Sequence, residues 1–345
     1  MIARLLLILV TLTWVAFAAE PASRNPIPDP QLLLESDSFS IAVIQLRPDD
    51  VPIQNLLKDA LNSIATGEAK LPPEMAEAGD YLSRNNRADL LIAGLPYQAV
   101  RVDRMLPSGQ TSPLYVSTLS GWRGLQVQIY NGLTASADGK AYPAVTYRRT
   151  DLISRPTAND PTSPGNLCRV NGSFVFAPTA DTAKAIVDRL MPKENTNPTP
   201  QAGPLLTAYQ ALPKTSDAYG VLINQKGAFS ALLKSMNNEH IQKVRDKVGS
   251  DRLEKAVAAT QSGVWQIDIV SDDRAEFTAV LTMDPSAVAD AAAMFEEGKA
   301  SLDATKVVDV SITPSGNTLT VKAAVIGLKQ LMLDTLTSGK VATTP

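Results

Sequence analysis

Along residues 263–287 the apolar positions fall on every second residue. Trp265, Ile267 and Ile269 alternate with Gln266 and Asp268, and Phe277, Ala279, Leu281 and Met283 alternate with Glu276, Thr278 and Thr282. A period of two puts one set of side chains on one face of an extended chain, so the stretch predicts two strands with a single buried face. Ser271, Asp272, Asp273 and Arg274 supply the turn between them, which makes an antiparallel hairpin. The period then becomes helical: Val288, Ala291, Ala292, Phe295 and Leu302 share a face behind Asp284-Pro285, a cap followed by a first-turn proline. VVDVSI, the turn PSGN at 314–317 and TLTVKAAV predict a second hairpin, and GLKQLMLDTL predicts a helix with Leu328, Leu331, Met332 and Leu336 on one side. Upstream lie a predicted strand, AYGVLIN, and two helical patterns, AFSALLKSM and HIQKVRDKVGSDRLEKAVAAT.

The first half of the chain reads in the same order. FSIAVIQL is a strand, PIQNLLKDALNSI and PPEMAEAGDYLSR are helices, and ADLLIAGL with PLYVSTL forms a looser hairpin. Residues 122–130 read as a short helix or, from the alternation in QVQIY, a strand. AVTYRR and CRVNGSFVFA predict the second hairpin, and TADTAKAIVDRL a helix capped by Thr179 or Asp181. The expected fold is α+β: two similar lobes in the order β-α-α-β-β-α-β-β-α, each a mainly antiparallel sheet covered by helices. The first lobe spans 36–191 and the second 205–338. Residues 192–204, PKENTNPTPQAGP, are the Pro-rich linker, and 339–345 a tail. SRPTANDPTSPGN, 154–166, reads as a long mobile loop inside the first lobe. Local matches such as SDSFSIAVIQL beside SDAYGVLINQ point to an internal duplication, against which stands chance similarity between short amphipathic segments.

The ends of the chain bear on location. Residues 1–18, MIARLLLILVTLTWVAFA, carry one basic residue, an apolar run and Ala16-Phe17-Ala18, the pattern of a cleaved secretory signal; 19–35 reads as a flexible segment. Retention of residues 5–18 as a membrane anchor is the alternative, but the run is short for a span. The exported chain would lie in the periplasm, the cell envelope or outside the cell, with no transmembrane helix if the signal is removed. Loss of Arg4 takes the formal charge from −3 to −4, too acidic and too mixed for a nucleic-acid binder. A single cysteine, Cys168, forbids an internal disulfide, so the fold depends on its core. Beside the apolar run at 170–175 its expected role is packing, with an intermolecular bridge or a reactive thiol as alternatives.

The layout resembles an uncharacterised group of exported bacterial proteins with two such lobes. The residues that carry the resemblance are SDAYGVL, NGSFVFAPTADTAKAIVDRL, the Trp-containing SGVWQIDIVSDD and the terminal SGNTLTVKAAV. It implies an envelope or secreted location and no particular activity. The loop at 154–166 departs from the pattern.

Few chemistries remain open. His240 is the one histidine, placed at a helix start, so Ser-His and Cys-His nucleophilic pairs have little to work with. No Ser-x-x-Lys or Gly-x-Ser-x-Gly occurs. The Gly-Lys pairs at 139 and 339 lack the upstream glycine of a phosphate loop, and one cysteine with one histidine cannot build the common zinc sites. Asp49-Asp50 and Asp272-Asp273 are the candidate acids for glycosidic cleavage or calcium, but adjacent side chains diverge, and Asp272-Asp273 reads as a hairpin tip. Trp122 is the one plausibly exposed tryptophan, Trp265 facing the core, and Arg148-Arg149 reads as a solvated strand end. No catalytic, cofactor-binding or metal-ligating residue set is expected. The expected function is therefore non-catalytic binding of a protein partner or a small apolar ligand; a carboxylate-dependent hydrolase and a membrane-anchored envelope subunit are the alternatives.

Overall fold

Twelve antiparallel strands join in one sheet in the computed structural model, which describes residues 27–47, 49–66, 97–119, 133–134, 140–192, 203–235, 245–300, 302 and 305–331. The strands are β1 Ser38–Leu46, β2 Tyr97–Met105, β3 Thr111–Leu119, β4 Ala144–Tyr147, β5 Thr150–Ser154, β6 Asn166–Val170, β7 Ser173–Ala177, β8 Ala218–Ile223, β9 Thr260–Ser271, β10 Arg274–Met283, β11 Val307–Ser315 and β12 Thr318–Ile326. Their order across the sheet is β11-β12-β10-β9-β8-β1-β2-β3-β7-β6-β5-β4. Six α-helices are described: α1 Val51–Ala65, α2 Ala180–Leu190, α3 Pro204–Gln210, α4 Ala228–Ser235, α5 Ser250–Ala259 and α6 Val288–Lys299.

The two expected helix-covered lobes, 36–191 and 205–338, do not form as separate sheets. β1 pairs with β8 from Ser40↔Leu222 to Ile44↔Ala218, so the sheet runs unbroken from one half of the chain into the other. The cause lies in β1 itself, whose residues are apolar to both sides: Ile41 and Val43 enter one core, Ile44 and Leu46 another. A strand buried on both faces belongs in the middle of a sheet. Seven strands lie on the β1 side of this seam and five on the β8 side. The expected element order also fails in the first half, where β4 and β5 add a hairpin. The fold is thus a sheet-rich antiparallel one, and the arrangement shows no two-lobe duplication.

Helices cover both faces. On one face α2, α3 and a 3-10 turn at Pro30–Leu33 close a core of Leu33, Ile41, Val43, Val100, Ile186, Tyr209 and Tyr219 among others. α2 forms because Thr179 caps it, accepting the Thr182 N–H at 3.1 Å, and because Ala183, Ile186, Val187 and Leu190 share its buried side. On the other face α1 lays Ile53 and Leu56 beside Trp265 and Ile267, while α5 and α6 close a core around Met283, Val288, Ala291 and Leu319. α4 sets Ala228 against Phe39 and Met105.

Several local expectations need correction. ADLLIAGL lies outside the described residues, and β3 pairs with YQAVRVDRM, from Tyr97↔Leu119 to Met105↔Thr111. AVTYRR does not pair with CRVNGSFVFA: β4 turns at Arg148-Arg149 into β5, while β6 and β7 form their own hairpin around Asn171-Gly172. The segment expected to be flexible as far as residue 35 is built into the core at Leu33 and Leu34, both nearly inaccessible. The loop at 154–166 is closed by its own hydrogen bonds: Arg155 N–H to the Gly165 carbonyl at 2.9 Å, and Thr162 N–H and Oγ1 to the Asp160 carboxylate. Asp284 does not cap α6, because its carboxylate is taken by the N–H and Oγ of Ser286; the helix starts at Val288, and Leu302 lies beyond its end. The long helical pattern from 240 breaks at Gly249, φ +86°, before α5 begins. Residues 1–26, 72–84, 122–130, 193–202 and 332–345, which hold the signal, a helix of the first half, the short helix or strand, most of the linker, most of the last helix and the tail, lie outside the described residues.

Candidate functional site

Asp217 occupies the position just before β8, where the chain leaves a polar loop and enters the centre of the sheet. It is 5% exposed. Its carboxylate accepts the Ile269 N–H from β9 at 2.8 Å and the Arg47 guanidinium from the end of β1 at 3.3 Å. Asp50 is the neighbouring carboxyl whose charge acts on it. Asp50 is also the cap of α1, accepting the Ile53 N–H at 3.2 Å. Burial, more than any other cause, raises the Asp217 carboxyl above its usual range, and the neighbouring Asp50 adds to it; the Ile269 N–H and Arg47 pull the other way.

The loop leading into Asp217 is tied on all sides. Gln45 Nε2 donates to the Lys214 and Ser216 carbonyls, Arg47 Nη2 to the Thr215 carbonyl at 2.7 Å, and Gln266 Nε2 to the Pro213 carbonyl. Ser216 Oγ donates to the Asp268 carboxylate at 3.2 Å. Asp217 therefore has little freedom to move. In chemical terms two neighbouring carboxyls could act as proton donor and acceptor. Asp217, however, already spends both oxygens on protein partners.

The residues singled out from sequence fall in different places. Asp49 is exposed, while Asp50 is partly buried and caps α1. Asp272 and Asp273 are the exposed tip between β9 and β10, and Arg274 beside them pairs with Asp309 at 2.8 Å and Glu276 at 3.3 Å. Trp265 is buried, in the core beneath α1. Arg148 and Arg149 are the two left-handed residues of the β4–β5 turn, φ +46° and +65°, and Arg148 pairs with Asp188 at 2.7 Å. Cys168 is fully buried among Val170, Val175 and Ile186, and burial pushes its thiol up to about 12, so it stays protonated and inert. His240, Trp122, Gly139 and Gly339 lie outside the described residues. Asp217 was missed as a site residue, though SDAYGVL carried a signal: an acid directly ahead of a run that is apolar at every position.

A second feature is a face of the sheet. Beyond β9, on the side opposite α6, no described helix packs on the sheet. The residues presented there are Thr278, Val280 and Thr282 on β10, Thr318, Thr320 and Lys322 on β12, and Ser311, Thr313 and Ser315 on β11, in register across the three strands. All are partly or fully exposed.

Among the described residues no group of three or more His, Cys, Asp or Glu side chains could hold a metal ion, and no helix is long and apolar enough to cross a membrane. In comparisons with known proteins, no family model, no curated protein and no solved structure matches the chain.

Proposed function

We propose that the chain is an exported, non-catalytic protein of the envelope or exterior that acts by binding a protein partner through the open face of β10, β12 and β11. The observation that carries this reading is the hydroxyl-rich face itself, on which no described helix packs, opposite a face sealed by α6. Threonine and serine on paired strands offer donors and acceptors at regular intervals with little apolar area, which suits a polar protein surface better than a small apolar ligand. Export rests on the pattern of residues 1–18. A second reading, a carboxylate-dependent hydrolase, has one specific observation in its favour, the buried Asp217, whose carboxyl burial and the neighbouring Asp50 raise above its usual range.

One set of variants separates the two. A partner captured from an envelope fraction and then purified should lose at least about tenfold in affinity for Thr320→Arg, since a buried, unpaired charge costs more than ~1.4 kcal/mol at an interface. It should bind Asp217→Asn as it binds the parent. Undiminished binding by Thr320→Arg sinks the assigned face. A hydrolytic activity of the parent protein that Asp50→Asn and Asp217→Asn both abolish would replace binding by the second reading.

A further inference from the structure

We propose that the chain pairs with a second copy of itself along β4, edge to edge and antiparallel, about a two-fold axis at Val145. β4 ends the order of described strands, bonded to β5 on one side. Ala144, Val145 and Thr146 are all exposed although they alternate between the two faces of the strand, so both faces and the free edge meet solvent. Among the described residues Val145, at 68%, is the most exposed large apolar side chain. The register tells which backbone groups are free. The turn at Arg148-Arg149 has two residues, both left-handed, so Tyr147 and Thr150 close it as a hydrogen-bonded pair. Alternation makes Val145↔Leu152 the next bonded pair, and the Ser154 N–H reaches the Pro143 carbonyl at 2.8 Å as the same alternation requires. The N–H and C=O groups of Ala144 and Thr146 therefore point away from β5.

Laid against an antiparallel copy, these groups match themselves. Ala144 of each chain meets Thr146 of the other, and each meeting exchanges both backbone bonds. Val145 then faces Val145 of the second copy in the closer, non-bonded kind of pair, where side chains touch, so the symmetric register covers the exposed valine. No Lys, Arg, Asp or Glu stands in β4; Arg148 and Arg149 lie beyond it, the first held by Asp188 at 2.7 Å, so no like charges oppose each other within the ladder. The other end of the sheet is guarded. The ladder of β11 with β12 slips between Val308 and Ser311, Asp309 in the slip is left-handed at φ +54°, and Pro314, beside the closing pair Ser315↔Thr318, turns a nitrogen without a hydrogen outward. With that edge blocked, the isologous β4 contact closes at two chains and builds no fibre.

A ladder this short is a small contact, so the dimer should form with a dissociation constant of about 10–100 µM. Sedimentation equilibrium of the purified full chain across that range reads it directly, with no other protein present. Val145→Lys sets two charges face to face on the axis and should weaken the dimer at least about tenfold, at a position too exposed to threaten the fold. Thr146→Pro removes an outward N–H, leaves the bonds to β5 in place, and should do the same. Cross-linking fixes the register. Val145→Cys should join its own copy under a mild thiol oxidant such as diamide, because directly opposed residues of a non-bonded pair stand about 4.5 Å apart at Cα. Thr146→Cys, whose opposite is Ala144, should not. Cys168 is buried, with its thiol pushed up to about 12, and takes no part. The proposal is overturned by a chain that stays monomeric throughout the range, by dimers that Val145→Lys leaves undiminished, or by Thr146→Cys linking as readily as Val145→Cys.

Discussion

Behind Trp265 the strand β8 has room for a hydrogen and nothing more. A Cβ on Gly220 would lie 2.5 Å from the indole Cε2 and 2.7 Å from the Ile41 carbonyl oxygen. Gly220 is opposite Trp265 on one side and Ala42 on the other, so neither neighbour can retreat without breaking a ladder. Gly220→Ala should cost about 1–3 kcal/mol in urea unfolding, the usual penalty for overfilling a packed core. Single residues also explain what the sequence hid. The alternation around Trp265 showed that it faces inward, yet nothing local said that a glycine from forty-five positions upstream would meet it. β2 escaped notice because Arg101 and Asp103 interrupt its apolar pattern. They sit two apart on one face, bonded to each other at 2.8–3.0 Å, with Arg101 over the Tyr115 ring, and so cancel as a polar interruption. Asp217 poses the same difficulty: it is an ordinary acid until the fold buries it.

At the scale of elements, the 3-10 turn at Pro30–Leu33 is joined to α2 and β2 by an ion-pair chain. Glu35 takes Arg189 at 3.0 Å and Arg104 at 2.8 Å, Arg104 grips Asp37 with two bonds, and Arg189 also donates to the Leu32 and Leu34 carbonyls. Glu35 is the hinge of this chain, with a side chain 14% exposed. Its loss would leave two half-buried guanidiniums short of a counter-charge, so Glu35→Gln should destabilise the protein by about 2–3 kcal/mol, measured by chemical denaturation. The hairpins β9–β10 and β11–β12 and the capped helix α2 were legible in the sequence, because alternation, turn residues and caps are local signals. The N-terminal segment was not, since three leucines in a row after prolines carry no period, and the burial of Leu33 and Leu34 depends on a helix some 150 residues later.

For the whole molecule the decisive contact is the β1·β8 seam. The core above it takes Ile41 and Val43 from the first half of the chain and Leu205, Tyr209, Tyr219 and Val221 from the second. Neither half can keep that core when the other is lost, so calorimetry should record one cooperative transition; two separate transitions would show that the halves hold themselves together independently. This long-range pairing was the part the sequence withheld, for a strand's own residues say that it must be central but not which distant strand will lie beside it. The seam also fixes an order of events at the ribosome. Residues 40–44 of β1 are made long before their neighbours at 218–222, and at the usual rate of synthesis the interval is roughly ten to thirty seconds. Through that time an apolar strand shows bare amides and carbonyls along one edge, open to any other nascent chain that comes within reach. Late translation of β8 is thus the step that removes this protein's own aggregation hazard.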